Sequence, residues 1–261
     1  MKPYLDSLRR VCSVFWKLGR QARRTKFFFL FSQLPVGVAL IFRLNVLFSG
    51  RASATGFYLF TNIIMFFYLQ MIILVLALFY GTSVCSEEVE GRTLPYLTTR
   101  PLPKSAIVLG KYAAYTAIAA GMTALGLILS FLVLNFGDFS GRAALALARY
   151  LGVLVFGLVS YGALFTFLGS ALKRSVFFGL LFSFGWENVI QYFPGSTQRL
   201  AIAHYLKSFL PAPPSGRFAF LTFRLEPTPP GLSLLILGLV TLACLALAGL
   251  VFSKKEYILE D

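Results

Sequence analysis

Residue types that carry catalysis or bind metals are scarce in this 261-residue sequence. There is one histidine, His204, with no H-E-x-x-H and no cysteine neighbour, so no zinc-type ligand set surrounds it and a structural or exposed role is expected. The three cysteines, Cys12, Cys85 and Cys244, are scattered without a C-x-x-C pair, which removes disulfide and zinc frameworks. No G-x-x-x-x-G-K-S/T occurs, so the chain does not cradle nucleotide phosphates by itself. No serine stands in G-x-S-x-G, so a serine nucleophile has no support. Charge is also sparse. Only 13% of residues are charged against 57% hydrophobic, and 28 are phenylalanine, which excludes a soluble domain with a polar surface. The net charge of +14 does not point to nucleic acid, because a basic nucleic-acid face does not come with several apolar runs of about twenty residues. The N-terminus has no short apolar core ending in a small-residue cleavage site, so no removable signal peptide is expected.

What remains is an all-α integral membrane protein, expected as one transmembrane domain over 1–261. Residues 1–26 carry Leu5, Leu8, Cys12, Phe15 and Ala22 on one helical side and Arg9, Arg10, Lys17, Arg20 and Arg24 on much of the other. This is the pattern of an amphipathic helix lying in the membrane interface against lipid. Phe27 to Phe48 is long enough for a first span, interrupted by Pro35 and Arg43. From Ala52 to Ser86 there are 35 residues without charge, more than one crossing needs, so a loop around Ser53 to Gly56 is expected before a second span from about Tyr58 to Tyr80. Ser105 to Leu134 is a third span, in which Ala117, Gly121 and Gly126 are small enough for close helix contact. Tyr150 to Leu172 is a fourth, followed by a tight turn at Lys173-Arg174. A fifth starts at Val176 and meets Glu187 after only twelve residues, so its helix must continue towards Pro194 to cross. Residues 194–230 hold seven of the twelve prolines and a stretch, Leu200 to Leu210, with spacing for one short helix. Gly231 to Phe252 is the sixth span.

Six spans with both ends on the cytoplasmic side put 16 of the 24 lysines and arginines in cytoplasmic segments, twice the number on the other side, as the positive-inside bias requires. The fold expectation is therefore six transmembrane helices, an N-terminal amphipathic interfacial helix, and short external helices between spans five and six.

The densest polar stretch separates spans two and three. It reads CSEEVEGRTLPYLTTRPLPKSAIVLGK from Cys85 to Lys111 and carries Glu87, Glu88 and Glu90 at its start. Acids in the first turn of a helix complement its macrodipole, so Ser86 to Leu97 is expected as a short helix, ended by Arg100-Pro101-Leu102-Pro103. The order of acidic pair, Thr93-Leu94, Arg100-Pro101 and Gly110-Lys111 resembles the first cytoplasmic loop of type-2 (ABC-2-type) ATP-binding-cassette transporter permeases. One departure is that Gly91 stands before Arg92 rather than directly before Thr93.

The resemblance implies that segment 85–104 is a coupling loop docking on a separate cytoplasmic ABC ATPase, which holds ATP and Mg, while this chain binds no cofactor and is not itself an enzyme. It also implies an exporter in the cell's inner (cytoplasmic) membrane that works with a second permease copy or a paralogue. On that basis Glu87, Glu88 and Glu90 face the ATPase, and Thr93, Leu94 and Leu97 pack the short helix under the spans. Arg100 and Pro101 set the return into the third span, and Lys173 and Arg174 make a smaller second contact. Glu187 and Asn188, polar groups near Trp186 inside an apolar span, are a candidate outer gate; the alternative is that Glu187 reaches headgroups or pairs with Arg199. Two other function classes stay open at this point. One is a membrane-embedded enzyme acting on lipid through Glu187 and His204, and the other is a non-transporting anchor for a cytoplasmic ATPase.

Overall fold

The computed structural model describes residues 2–49, 56–61, 65–90, 103–136, 141–190, 196–210 and 228–254, and all regular structure among them is helical. In chain order the helices are α1 (Lys2–Gln21), α2 (Arg23–Ser32), α3 (Leu34–Ser49), α4 (Gly56–Leu59), α5 (Met65–Phe67), α6 (Ile73–Glu90), α7 (Lys104–Leu134), α8 (Gly141–Ala171), α9 (Ser175–Leu180), α10 (Ile202–Lys207) and α11 (Pro230–Lys254). Two wide π turns interrupt this pattern: Tyr68–Ile72 joins α5 to α6, and Leu181–Glu187 prolongs α9. Five stretches are long and apolar enough to cross a membrane: Arg23–Phe48, Met65–Ser86, Lys104–Leu134, Ala143–Ala171 and Pro230–Ser253. Ser175–Glu187 is a shorter apolar helix.

Several boundaries differ from the sequence expectation, each for a local reason. The N-terminal helix stops at Gln21 because Ala22 is extended (φ −62°, ψ 137°). The Thr25 hydroxyl then caps the Gly19 carbonyl, one of the acceptors a helix end leaves open. Arg23, Arg24 and Lys26 therefore open the next helix. Ser86 to Glu90 are the last residues of α6 rather than the start of a separate short helix, so the acidic positions lie at a helix C-terminus; 91–102 fall outside the described residues. The fourth apolar helix begins several residues before Tyr150. The last begins at Pro230, where a proline costs nothing because the first-turn N–H has no intrahelical acceptor.

Close helix approach rests on glycine, though not on all those expected. The bundle centre is the parallel pair α6 and α8, along which Ile73 meets Gly157 and Thr82 meets Gly169. A Cβ on Gly169 would stand 2.7 Å from the Thr82 carbonyl oxygen, and one on Gly81 would stand 2.8 Å from the Phe165 Cβ and 2.9 Å from the Gly162 oxygen. Where α2 turns into α3 before Pro35, the Gln33 amide donates to the Met122 carbonyl at 3.2 Å and the Tyr68 hydroxyl donates to the Ser32 carbonyl at 3.4 Å. Backbone freed at a bend inside an apolar layer needs such partners. Gly126 makes room for them, since a Cβ there would meet the Tyr68 hydroxyl at 2.6 Å. Gly121, expected beside it as a packing residue, has nothing within 4 Å, and Ala117 is exposed on the same outward face. Leu125, Ile128 and Leu132 are exposed there too, as on a surface turned to lipid.

Candidate functional site

Two polar assemblies sit inside this apolar bundle. The first is where α1 and α2 meet α7 and α6. Gly110, in the Gly-Lys pair singled out in the sequence, lets α1 approach: a Cβ on it would stand 2.8 Å from Val11 Cγ1 and 3.2 Å from the Leu8 carbonyl oxygen. Lys111 is 1% exposed, with its ammonium 5.1 Å from the Phe15 ring centre and 5.6 Å from that of Tyr115. The Arg24 guanidinium lies 4.9 Å from the same Tyr115 ring and 5.5 Å from Tyr80, whose hydroxyl donates to Thr25 at 3.0 Å. Cations over ring faces are held by the ring quadrupole. The end of α7 next to residues 91–102 gathers both ends of the chain, as Tyr4 reaches Ser105 at 3.3 Å and Lys104 reaches the Ser253 carbonyl at 3.5 Å.

The second assembly surrounds Glu187, which is 0% exposed. It lies about 18 Å of helical rise beyond Ser175, less than the ~30 Å thickness of a bilayer's apolar layer. One carboxylate oxygen accepts from the Tyr161 hydroxyl of α8 and, at 2.6 Å, from the backbone N–H of Ala203 in α10. The basic residue whose charge acts on this carboxylate is Lys207, one turn further along α10, rather than the exposed Arg199. Burial pushes the Lys207 ammonium down to about 8, and Glu187 works against that shift. The Lys207 ammonium also reaches the Gln70 side-chain oxygen at 3.4 Å, and the Gln70 amide donates to the Asn188 side chain. Asn188 in turn donates to the Ser183 carbonyl at 2.9 Å. Gln70 lies in one π turn, Glu187 and Ser183 lie in the other, and Asn188 directly follows the second. The two irregular turns are thus wrapped around one polar cluster, where such turns are commonly found at functional sites.

α10 is seated against this cluster. Ile202, Ala203, His204 and Leu206 are buried, and Gly157 of α8 makes room for Leu206 and Ile73, which a Cβ there would meet at 3.2 and 3.3 Å. Phe209 stacks on Phe156 with centroids 6.5 Å apart. His204 is buried rather than exposed. Its Nε2 pairs with the Thr228 hydroxyl at 2.8 Å, just before α11, and the Thr228 N–H donates to Ser208 at 3.3 Å. Burial and the Arg199 charge hold the His204 imidazole below its usual range.

Of the sequence candidates, Glu187, Asn188 and His204 come together in and beside this cluster. Lys173 and Arg174 are exposed in the turn between α8 and α9. Thr93, Leu94, Leu97, Arg100 and Pro101 lie outside the described residues, as do the side chains of Glu87, Glu88 and Glu90. Tyr161, Gln70 and Lys207 were missed. Gln70 and Lys207 were visible as an amide in a charge-free run and a lone basic residue in the proline-rich segment; nothing distinguished Tyr161.

A bundle of apolar helices of crossing length defines a multi-pass membrane protein, and the buried ionisable groups within it are of the kind that line transport pathways. The chain belongs to the ABC-2 transporter family: the family described as ABC-2 family transporter protein matches residues 15–186. The match takes in α2 to α9, the segment 91–102, Gln70 and Tyr161, and it ends one residue before Glu187. No curated protein matches the chain.

Proposed function

We propose that this chain is the membrane-spanning permease subunit of an ATP-driven exporter, in which a separate cytoplasmic ABC ATPase holds ATP and Mg and drives transport across the inner membrane. The observation that carries this is the polar segment between α6 and α7, which lies inside the family match and carries the acidic, Thr-Leu, Arg-Pro and Gly-Lys order. Glu87, Glu88 and Glu90 at the C-terminal end of α6 oppose the helix macrodipole, so a role other than capping is favoured for them. In this proposal segment 85–104 is the coupling loop, with Glu88 and Glu90 towards the ATPase and Lys173-Arg174 as the second contact. The whole chain is one permease domain of six spans, counting the helix from Ser175 as the fifth. Both termini are cytoplasmic, and α1 lies in the membrane interface against lipid. Two copies, or one copy and a paralogue, enclose the pathway, and the Glu187–Asn188 cluster with α10 is its outer gate.

The test is co-purification from native membranes of wild type and of Glu88→Lys/Glu90→Lys at equal expression. Recovery of an ABC ATPase with wild type and its loss with the double charge reversal is the expected result. Absence of any such ATPase from well-folded wild type overturns the proposal.

A further inference from the structure

The gate cluster carries information about cargo. In the closed arrangement α10 supplies Glu187 with two things at once, the Ala203 N–H and the positive charge of Lys207. Moving α10 aside, as an outer gate must, takes both away together. A carboxylate left at this depth without a counter-charge is strongly disfavoured, so the open state must take up either a proton or a replacement cation. Tyr161, Gln70 and Asn188, which also bond within the cluster, are neutral. Beside the carboxylate, Tyr161 stacks on Phe165 with centroids 6.4 Å apart, and Phe182 meets Phe165 edge-on at 6.3 Å. An aromatic wall, Tyr161 backed by Phe165 and Phe182, therefore adjoins the charge through Tyr161. Such a wall suits an ammonium group on an alkyl chain, which an aromatic face attracts and an anion or a neutral polar head does not exploit.

We propose that Glu187, with Tyr161, Gln70 and Asn188, is the recognition point for the ammonium head of a cationic amphipathic cargo, and that Lys207 occupies this place while the gate is shut. Lys207 is then an internal competitor. A ligand shifts a two-state equilibrium only by its differential affinity, and an ammonium that binds the seat vacated by α10 has affinity for the open state alone. The inference rests on the permease reading for its meaning, but the binding it asserts is a property of this chain without any ATPase.

The test uses the full chain in phosphatidylcholine nanodiscs with Trp16→Phe, which leaves Trp186, next to Glu187, as the remaining tryptophan. Quenching is titrated with an ω-bromoalkylammonium of dodecyl length and, in parallel, with the corresponding bromoalcohol. Saturable quenching is expected for the ammonium, displaced by unbrominated dodecylammonium, with only linear partitioning for the alcohol. Glu187→Gln is expected to weaken the saturable component by about tenfold or more, and Lys207→Met to tighten it by about tenfold, with Lys207→Arg close to wild type. The direction for Lys207→Met separates competition from a merely structural lysine, whose loss would weaken binding. Equal behaviour of ammonium and alcohol, or binding unchanged or weakened in a folded Lys207→Met, overturns the proposal. Failure to recover an ATPase in the co-purification leaves this readout intact, so the two ideas fail separately.

Discussion

The contact between α6 and α8 invites a direct perturbation, because backbone there meets backbone. A Cβ on Gly169 would stand 2.7 Å from the Thr82 carbonyl oxygen and 3.0 Å from the Thr82 Cα. Neither atom belongs to a flexible side chain that can swing away, so the two helices must part. Contact distance for carbon on oxygen is at least ~3.2 Å, and a leucine adds three further carbons that the gap cannot take, an overpacking cost of about 2–3 kcal/mol. Gly121 on α7 is the matched control, since nothing lies within 4 Å of its Cβ position. There the same change relieves a glycine in a helix interior and gains up to ~0.8 kcal/mol. The pair of variants is therefore expected to differ by about 3 kcal/mol, or roughly two decades in the unfolding equilibrium. Reversible unfolding in mixed micelles, driven by increasing SDS and followed by far-UV circular dichroism, measures this directly. Gly169→Leu should unfold at a clearly lower SDS fraction than wild type, and Gly121→Leu at the same or a slightly higher one. Coincident curves for the two variants would refute the packing described for the bundle centre.

Acidification is expected to loosen α10. Burial, and then the Arg199 charge, hold the His204 imidazole below the usual ~6.5, so the folded form resists the proton that the unfolded form accepts. Its contribution is complete above about 6.5 and is lost as pH falls below that, which amide exchange of residues 202–207 compared at pH about 7.5 and about 5 would register. Unchanged protection would count against a neutral His204 pinning Thr228. At the other assembly, Lys111→Met removes a cation held over Phe15 and Tyr115, a loss of about 0.5–2 kcal/mol where α1 docks on α7. Faster tryptic cleavage at Arg9, Arg10 and Lys17 is the expected sign, and wild-type rates would show that Lys111 does not hold α1.

Long apolar runs were readable because a bilayer demands about twenty uninterrupted residues, and that requirement leaves its mark whatever the tertiary contacts are. The third and last spans were accordingly located to within a residue or two. Pairwise packing was much less readable. Ala117, Gly121 and Gly126 look alike in sequence, yet only Gly126 faces a neighbouring helix, because which side of an evenly apolar helix turns inward is decided by partners far along the chain. The same limit hid Tyr161. It is one of 12 tyrosines, and its role depends on a carboxylate that arrives 26 residues later from another helix. The wide turns at Tyr68–Ile72 and Leu181–Glu187 left no composition signal either, since an i to i+5 bond is a backbone event. Glu187 itself was conspicuous, because a carboxylate in an apolar run is costly, although headgroups or Arg199 offered a bland alternative that only the tertiary contacts could decide against.

The placement of the two polar assemblies constrains how the bundle can work as an ABC-2 family member. α6 carries the acidic end that precedes segment 91–102, and through the turn Tyr68–Ile72 it leads at its other end to Gln70. Its partner α8 carries Gly169 near the first of these ends and Tyr161 at the carboxylate. Because this pair is in backbone contact, it cannot shear by small side-chain adjustments, and packed interiors respond to a push by moving as a body or by switching arrangement. Displacement imposed at the α6 end is therefore delivered to Gln70 and Tyr161 rather than absorbed between them. The compliant parts are the π turns and α10, a helix of six residues attached through Glu187, Gln70 and Thr228. Motion that reaches the cluster should thus break the attachments of α10 before it parts α6 from α8, and this order is what the proposed gate role of α10 requires.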